Sequence, residues 1–75
     1  MKGGALMLDK NSEKILNYLK EKPNEEINII DFLSLGLSIN EILDSGKILE
    51  NKGYIYILGK KYVSPRYKLR LIFPQ

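Results

Sequence analysis

The chain has 75 residues, 44% of them hydrophobic, and carries a formal net charge of +3 with no cysteine and no histidine. This length and composition predict one small globular domain rather than a disordered segment. The absence of cysteine and histidine excludes disulfides, the common zinc frameworks and any catalytic pair that needs an imidazole base. Since the sequence also lacks a glycine-rich phosphate loop, we expect a protein that is not an enzyme and uses no metal or other cofactor.

The N-terminal segment gives no indication of an export or membrane signal. Its apolar run, from Ala5 to Leu8, is much shorter than a signal-peptide core or a spanning helix. We therefore expect a cytoplasmic protein with no membrane partner. Residues 1–8 are predicted to form a flexible N-terminus, and residues 9–75 a single domain.

Charge is distributed unevenly along the chain. Residues 1–50 contain all nine acidic residues and six lysines, a balance of −3, whereas residues 51–75 contain six cations and no acid. Such an asymmetry indicates that the C-terminal part faces a polyanion. The alternative is that these cations only solvate the surface.

A first helix is predicted from Lys10 to Glu21, because apolar residues recur there with a period of 3.6. Asp9 or Asn11 can cap its start, and Pro23 follows its end. The residues of its apolar face are Leu8, Ser12, Ile15, Leu16 and Leu19.

The next segment predicts a short strand at Ile27 and a second helix over residues 29–35, capped by Asn28. Within this helix Ile30, Leu33 and Phe32 are expected to point into the core. Gly36 follows as the turn residue, since glycine adopts positive φ freely. The adjacent acids Glu25 and Glu26 are interpreted as charges that precede a helix rather than as a catalytic pair.

A third helix begins at Ser38, which forms a capping box with Glu41, and ends at Gly53. Its periodicity gives two faces. The predicted buried face contains Ile42, Ser45, Gly46 and Leu49, and the predicted solvent face contains Asn40, Asp44, Lys47 and Asn51. Gly46 is unfavourable inside a helix, by about 1 kcal/mol relative to alanine. It indicates either close approach of another backbone, such as the first helix, or a turn that breaks the third helix and leaves a β meander.

The C-terminal part predicts a β-hairpin. Residues 54–58 are rich in aromatic and β-branched residues, and a turn at Gly59-Lys60 leads to a second strand over residues 61–64. The tail that follows is ambiguous. Ser64 and Pro65 suit a helix start, whereas the alternation of Tyr67 and Leu69 with cations favours an extended strand.

The stretch LENKGYI, from Leu49 to Ile55, carries the most informative pattern. It contains a leucine-acid pair, two variable residues, a glycine and an aromatic-apolar pair. With the sequence LGLS at residues 35–38 and the order of elements, it resembles the winged helix-turn-helix family of DNA-binding domains. The resemblance implies an α+β fold with three helices and a C-terminal β-hairpin wing, over roughly residues 9–64.

In that family the third helix lies in the major groove, and the wing contacts the backbone or the minor groove. The resemblance therefore implies that Asn40, Lys47 and Asn51 contact base edges or phosphates, and that Ser38 holds a phosphate at the helix start. For the wing contact it implies Lys60 and Lys61. The further cations expected to extend the electrostatic footprint are Arg66, Lys68 and Arg70. The same helix residues are also consistent with a solvated face, and Asp44 among them would repel phosphates.

These features predict a small DNA-binding protein and transcriptional regulator whose partner is double-stranded DNA. Binding to paired half-sites would require a homodimer, formed through Ile39, Leu43, the first residues or the apolar tail. One alternative is a winged-helix module that binds a protein through the acidic, apolar-edged third helix. Another is non-specific binding of DNA or RNA through the basic hairpin.

Overall fold

A computed structural model describes residues 8–59 and 64–70. The elements in chain order are α1 (Lys10–Lys20), β1 (Ile27–Asn28), a 3₁₀ helix (Ile29–Leu35), α2 (Ile39–Asn51), β2 (Ile55–Leu58) and β3 (Arg66–Leu69). The predicted α+β class is confirmed: three helices pack on one antiparallel sheet with the strand order β1-β3-β2. This arrangement is compatible with a winged helix-turn-helix.

The start of α1 agrees with the prediction. Asp9 is the N-cap, and its carboxylate accepts hydrogen bonds from the backbone N–H and the hydroxyl of Ser12. The Ser12 hydroxyl bond lowers the pKa of Asp9 below its usual range. Leu8 packs against the core just before the cap, whereas the rest of the predicted flexible N-terminus, residues 1–7, lies outside the described residues.

The second helix is a 3₁₀ helix, and this changes which of its residues are buried. Asn28 caps it as predicted, accepting from the Ile30 N–H at 3.0 Å. Ile29 and Phe32 are buried, but Ile30 and Leu33 are 54% and 42% exposed, so their predicted inward orientation is wrong. The reason is the period of three residues per turn, which stacks residues 29, 32 and 35 on one face.

The third predicted helix is α2, and it is continuous through Gly46, so the alternative of a turn and a β meander at this position is wrong. Both halves of the Ser38–Glu41 capping box are present, and Gly53 follows the helix with a φ of 83°. All four residues predicted on the inner face are buried, and all four predicted on the outer face are exposed. The hydrophobic periodicity therefore located both faces of α2 correctly.

Gly46 accommodates the side chain of Tyr67 from β3, not the backbone of α1 as the sequence suggested. A Cβ atom at Gly46 would overlap with the Tyr67 hydroxyl and ring. The hydroxyl is fully buried and donates a hydrogen bond of 3.0 Å to the backbone carbonyl of Ile42, one turn earlier in α2. The absence of a side chain at position 46 thus allows β3 to pack closely against the helix.

The hairpin differs from the predicted one. All four residues of β2 pair with β3, from Ile55 opposite Leu69 to Leu58 opposite Arg66, so the predicted partner strand at residues 61–64 is wrong. Register follows the buried face, because the alternating tail places the fully buried Tyr67 opposite Ile57. The extended interpretation of the tail is confirmed over Arg66–Leu69. Residues 60–63 and 71–75 lie outside the described residues.

Gly46→Ala should lower the free energy of unfolding by about 1–3 kcal/mol, although alanine is the better helix former, because the added methyl group overpacks against Tyr67. Urea denaturation measures this change. The destabilisation caused by Gly46→Ala should be smaller in a Tyr67→Phe background, because the hydroxyl that the added methyl group would overlap is then absent. An equal cost in both backgrounds would contradict the assigned contact.

Stability should fall at high pH because of Tyr67. Burial, with a smaller contribution from the charge of Glu50, raises the pKa of Tyr67 to about 12, against about 10 in an unfolded chain. The stabilisation is therefore complete below pH about 10 and is lost as the pH rises through about 12. Tyr67→Phe should cost about 0.5–1.5 kcal/mol at neutral pH through loss of its hydrogen bond and remove this part of the pH dependence. The urea midpoints of the parent chain and of Tyr67→Phe, measured between pH about 8 and 11, test this expectation. If the two midpoints fall in parallel as the pH rises, Tyr67 is not responsible for the loss of stability.

Candidate nucleic-acid interface

One candidate surface is the outer stripe of α2, defined by Asn40, Asp44, Lys47 and Asn51. All four side chains are exposed, and they lie along one face of a helix that is anchored by its opposite face. The predicted contact residues Asn40, Lys47 and Asn51 are therefore brought together. The stripe offers amide donors and acceptors, one ammonium group and one carboxylate to a ligand.

The N-terminal end of α2 is already occupied by the capping box. The Ser38 hydroxyl accepts from the Glu41 N–H at 3.1 Å, and the Glu41 carboxylate accepts from the Ser38 N–H at 2.8 Å. The latter bond lowers the pKa of Glu41 below its usual value, so the carboxylate is charged at neutral pH. A phosphate that approached Ser38, as the resemblance implies, would meet this negative charge.

The second candidate surface is the basic sheet face, defined by Tyr56, Arg66, Lys68 and Arg70. Residues 66, 68 and 70 alternate with the inward-facing Tyr67 and Leu69, so the three cations share the outer face of the sheet. Tyr56 on β2 lies directly opposite Lys68 and is 47% exposed. The Arg70 guanidinium lies over the Tyr56 ring, 5.7 Å from its centroid.

The basic sheet face adjoins the C-terminal end of α2. The Arg70 N–H donates to the Tyr54 carbonyl at 2.9 Å, which continues the ladder toward the helix end. The Arg70 guanidinium also lies within van der Waals distance of the position that a Cβ at Gly53 would take. The Arg70 end of the basic sheet face is therefore next to the residues that end α2, whereas Arg66 lies at the opposite end of the strand, across from Leu58.

Arg66 is partly neutralised. Its Nε lies 2.9 Å from a carboxylate oxygen of Glu26, and both side chains are about half exposed. Glu26 thus pairs with β3 across the sheet rather than serving only as an acid before a helix. Sequence spacing could not indicate this ion pair, because the two residues meet only through the β1-β3 register.

Tyr56 was not among the predicted contact residues. The alternation of residues 54–58 could have indicated its exposure, because it places Tyr56 on the face opposite Ile55 and Ile57.

Lys60 and Lys61, predicted for the wing contact, lie outside the described residues. The described residues contain all nine acids of the chain and nine of its cations, so any attraction to a polyanion there comes from their arrangement.

Residues 8–59 and 64–70 contain neither a metal-binding cluster nor a membrane-spanning helix. No group of three or more acidic side chains in this part of the chain is arranged to hold a metal ion. In the same ranges, every helix is too short or too polar to cross a membrane.

Comparison with known proteins gives one informative similarity. The chain is 40% identical over 57 residues to the phenylalanine–tRNA ligase alpha subunit of Sulfolobus acidocaldarius. The matched stretch covers 76% of this chain but only 12% of the ligase subunit, so the chain is similar to one part of a much longer protein. No protein-family model and no solved structure gives a significant match.

Glu26→Gln should increase affinity for a polyanion, since it removes a carboxylate and releases Arg66, while stability changes by no more than about 1 kcal/mol. Elution from a heparin column at higher salt measures this effect. Glu25→Gln is the matched control, because it removes the same charge from the neighbouring exposed position. Equal shifts for both variants would show that net charge, and not the release of Arg66, is responsible.

Proposed function

We propose that the chain is a winged helix-turn-helix module that binds duplex DNA and acts as a small transcriptional regulator, rather than as an enzyme. The observation that supports this most is the continuity of two exposed surfaces. The outer stripe of α2 leads, at its C-terminal end, to a sheet face with three cations. No acidic residue occurs beyond Glu50 in the sequence.

The outer stripe has suitable chemistry for reading a major groove. An α-helix fits this groove, asparagine can bond adenine through two hydrogen bonds, and lysine can bond guanine or a phosphate. Asn40, Lys47 and Asn51 take these roles in the proposed complex. Asp44 would accept a hydrogen bond from cytosine and would be unfavourable near phosphates.

The hairpin supplies the contacts that do not depend on sequence. Lys60 and Lys61 lie between β2 and β3 in the chain, and in the proposal they contact the DNA backbone. Arg66, Lys68 and Arg70 extend the positive surface and increase the salt dependence of binding. Such contacts fix the position of the helix without carrying base specificity.

The similarity to a tRNA ligase subunit is consistent with a nucleic-acid partner in general. The name of that protein indicates action on tRNA, so folded RNA is the natural competitor of duplex DNA in any binding experiment.

A protein-binding module is the second candidate, and the exposed apolar side chains on α2 favour it. Ile39 and Ile48 are 40% and 39% exposed. They share the helix with Glu41, Asp44 and Glu50, which would oppose a polyanion but not a basic protein partner.

Binding to a randomised duplex pool, followed by fluorescence anisotropy and selection, tests the proposal. We expect the logarithm of the affinity to fall with log[salt] at a slope of about −3 to −6, as contact with several phosphates requires. Replacing Lys60 and Lys61 with alanine should weaken all sequences alike. Replacing Asn40 or Lys47 with alanine should change the preferred sequence.

Lys10→Ala on α1 is the matched control, because it removes one exposed cation that the proposal leaves out of the interface. If the α2 variants and the hairpin variants lose affinity equally for all sequences, the proposal that α2 recognises the base sequence is contradicted. Absence of duplex binding at low salt would overturn the proposal in favour of the protein-binding module, and preference for tRNA over duplex DNA would overturn it in favour of RNA.

A further inference from the structure

We infer that the basic sheet face is a second nucleic-acid site, where Tyr56 stacks on an unpaired base of a single strand and the surrounding cations hold its phosphates. This site goes beyond the proposed docking of α2 on duplex DNA. It shares the three cations of the sheet with the proposed duplex interface but is centred on Tyr56, and it does not require that the α2 proposal is correct.

The Tyr56 side chain lies outside the core. Its neighbours in the strand, Ile55 and Ile57, belong to the core or pack against it, whereas Tyr56 points to the opposite face and is nearly half exposed. The fold therefore does not use Tyr56 to close its core. An exposed aromatic ring presents a π surface that is available for stacking.

Positive charge surrounds the Tyr56 ring. Lys68 is its direct cross-strand neighbour, and its diagonal neighbours are Arg66 and Arg70, the latter one residue beyond the end of β3. The Arg70 guanidinium at 5.7 Å from the ring centroid is already in cation-π geometry. Every immediate neighbour of Tyr56 on β3 that shares its face is a cation.

The basic sheet face is accessible around Tyr56 and Arg70. Strand β1 pairs with β3 only at Tyr67 and Arg66, so the described part of β1 does not extend along Lys68 and Arg70. Tyr56 and Arg70 are exposed and Lys68 is half-buried, whereas Glu26 lies beside Arg66 at the other end of the face. A flexible strand can place its backbone along these cations while one base lies against the ring.

An aromatic ring surrounded by cations favours single-stranded nucleic acid over other anionic ligands. An acidic peptide would be attracted by the cations but would have no use for the aromatic face. A paired duplex keeps its bases stacked internally, so it can offer only phosphates here. Single-stranded nucleic acid offers both unpaired bases and phosphates. Proteins that bind such strands without sequence preference combine stacking of the bases on aromatic side chains with cationic contacts to the phosphates.

The test is binding of a fluorescently labelled single-stranded RNA of about ten nucleotides, and of the same DNA sequence, to the full chain. Two substitutions of Tyr56 both introduce an apolar side chain, but only one of them keeps an aromatic ring. Tyr56→Phe should bind with the affinity of the parent chain, whereas Tyr56→Leu should bind about tenfold more weakly. Lys68→Gln should reduce the slope of the logarithm of the affinity against log[salt] by about 1 in magnitude.

Lys47→Gln serves as the matched control, because it removes one cation from the outer stripe of α2 instead. It should weaken duplex binding and leave single-strand affinity unchanged, so failure of either site is recognised separately. Circular dichroism melting of each variant shows whether the fold is intact. The inference is overturned if Tyr56→Leu and Tyr56→Phe bind single strands equally, if single strands do not bind at low salt, or if an acidic peptide competes as well as the strand.

Discussion

The insertion of Tyr67 at Gly46 is the contact on which the arrangement of the domain depends. The Tyr67 hydroxyl reaches the Ile42 carbonyl of α2, and its ring lies 5.5 Å from the ring of Phe32 in the 3₁₀ helix. One side chain of β3 thus connects the sheet to two helices in the core. Because successive residues of a strand face opposite sides, fixing Tyr67 inward also fixes Arg66 and Lys68 outward. The same contact that closes the core therefore positions the basic sheet face.

The sequence was sufficient where local rules decide the structure. Capping chemistry and a period of 3.6 determine the ends of α2 and its two faces, and both were predicted correctly. The prediction of which residues the second helix buries failed because a segment of only seven residues does not reveal whether its period is three or 3.6, and the two periods bury different side chains. The partner of Gly46 could not be predicted, since Tyr67 is distant in the chain and reaches α2 only after β3 has paired. The hairpin register failed for a related reason, because it follows the buried face rather than the nearest turn residues.

The candidate site was predictable to a similar extent. Periodicity alone placed Asn40, Lys47 and Asn51 on one exposed face, and alternation implied that the three cations of the tail share another. The contacts that modify those cations are tertiary: Glu26 neutralises part of Arg66, and Tyr56 lies against Arg70. Neither pair has a fixed sequence spacing, so neither could be derived before the strand order was known.

The charge distribution along α2 limits how a polyanion can approach it. The capping carboxylate of Glu41 and the side chain of Asp44 lie in the N-terminal half. The C-terminal half contains Lys47 and Glu50 and is followed by Lys52, and Arg70 lies close to Gly53 just beyond the helix, so cations outnumber acids only at this end. Screening at physiological salt reduces interactions beyond about 8 Å, so each end acts on the phosphates nearest to it. Phosphates are consequently more favourable along the C-terminal half and the sheet. In the proposed complex with duplex DNA, Lys47 and Asn51 would then lie deeper in the contact than Asn40.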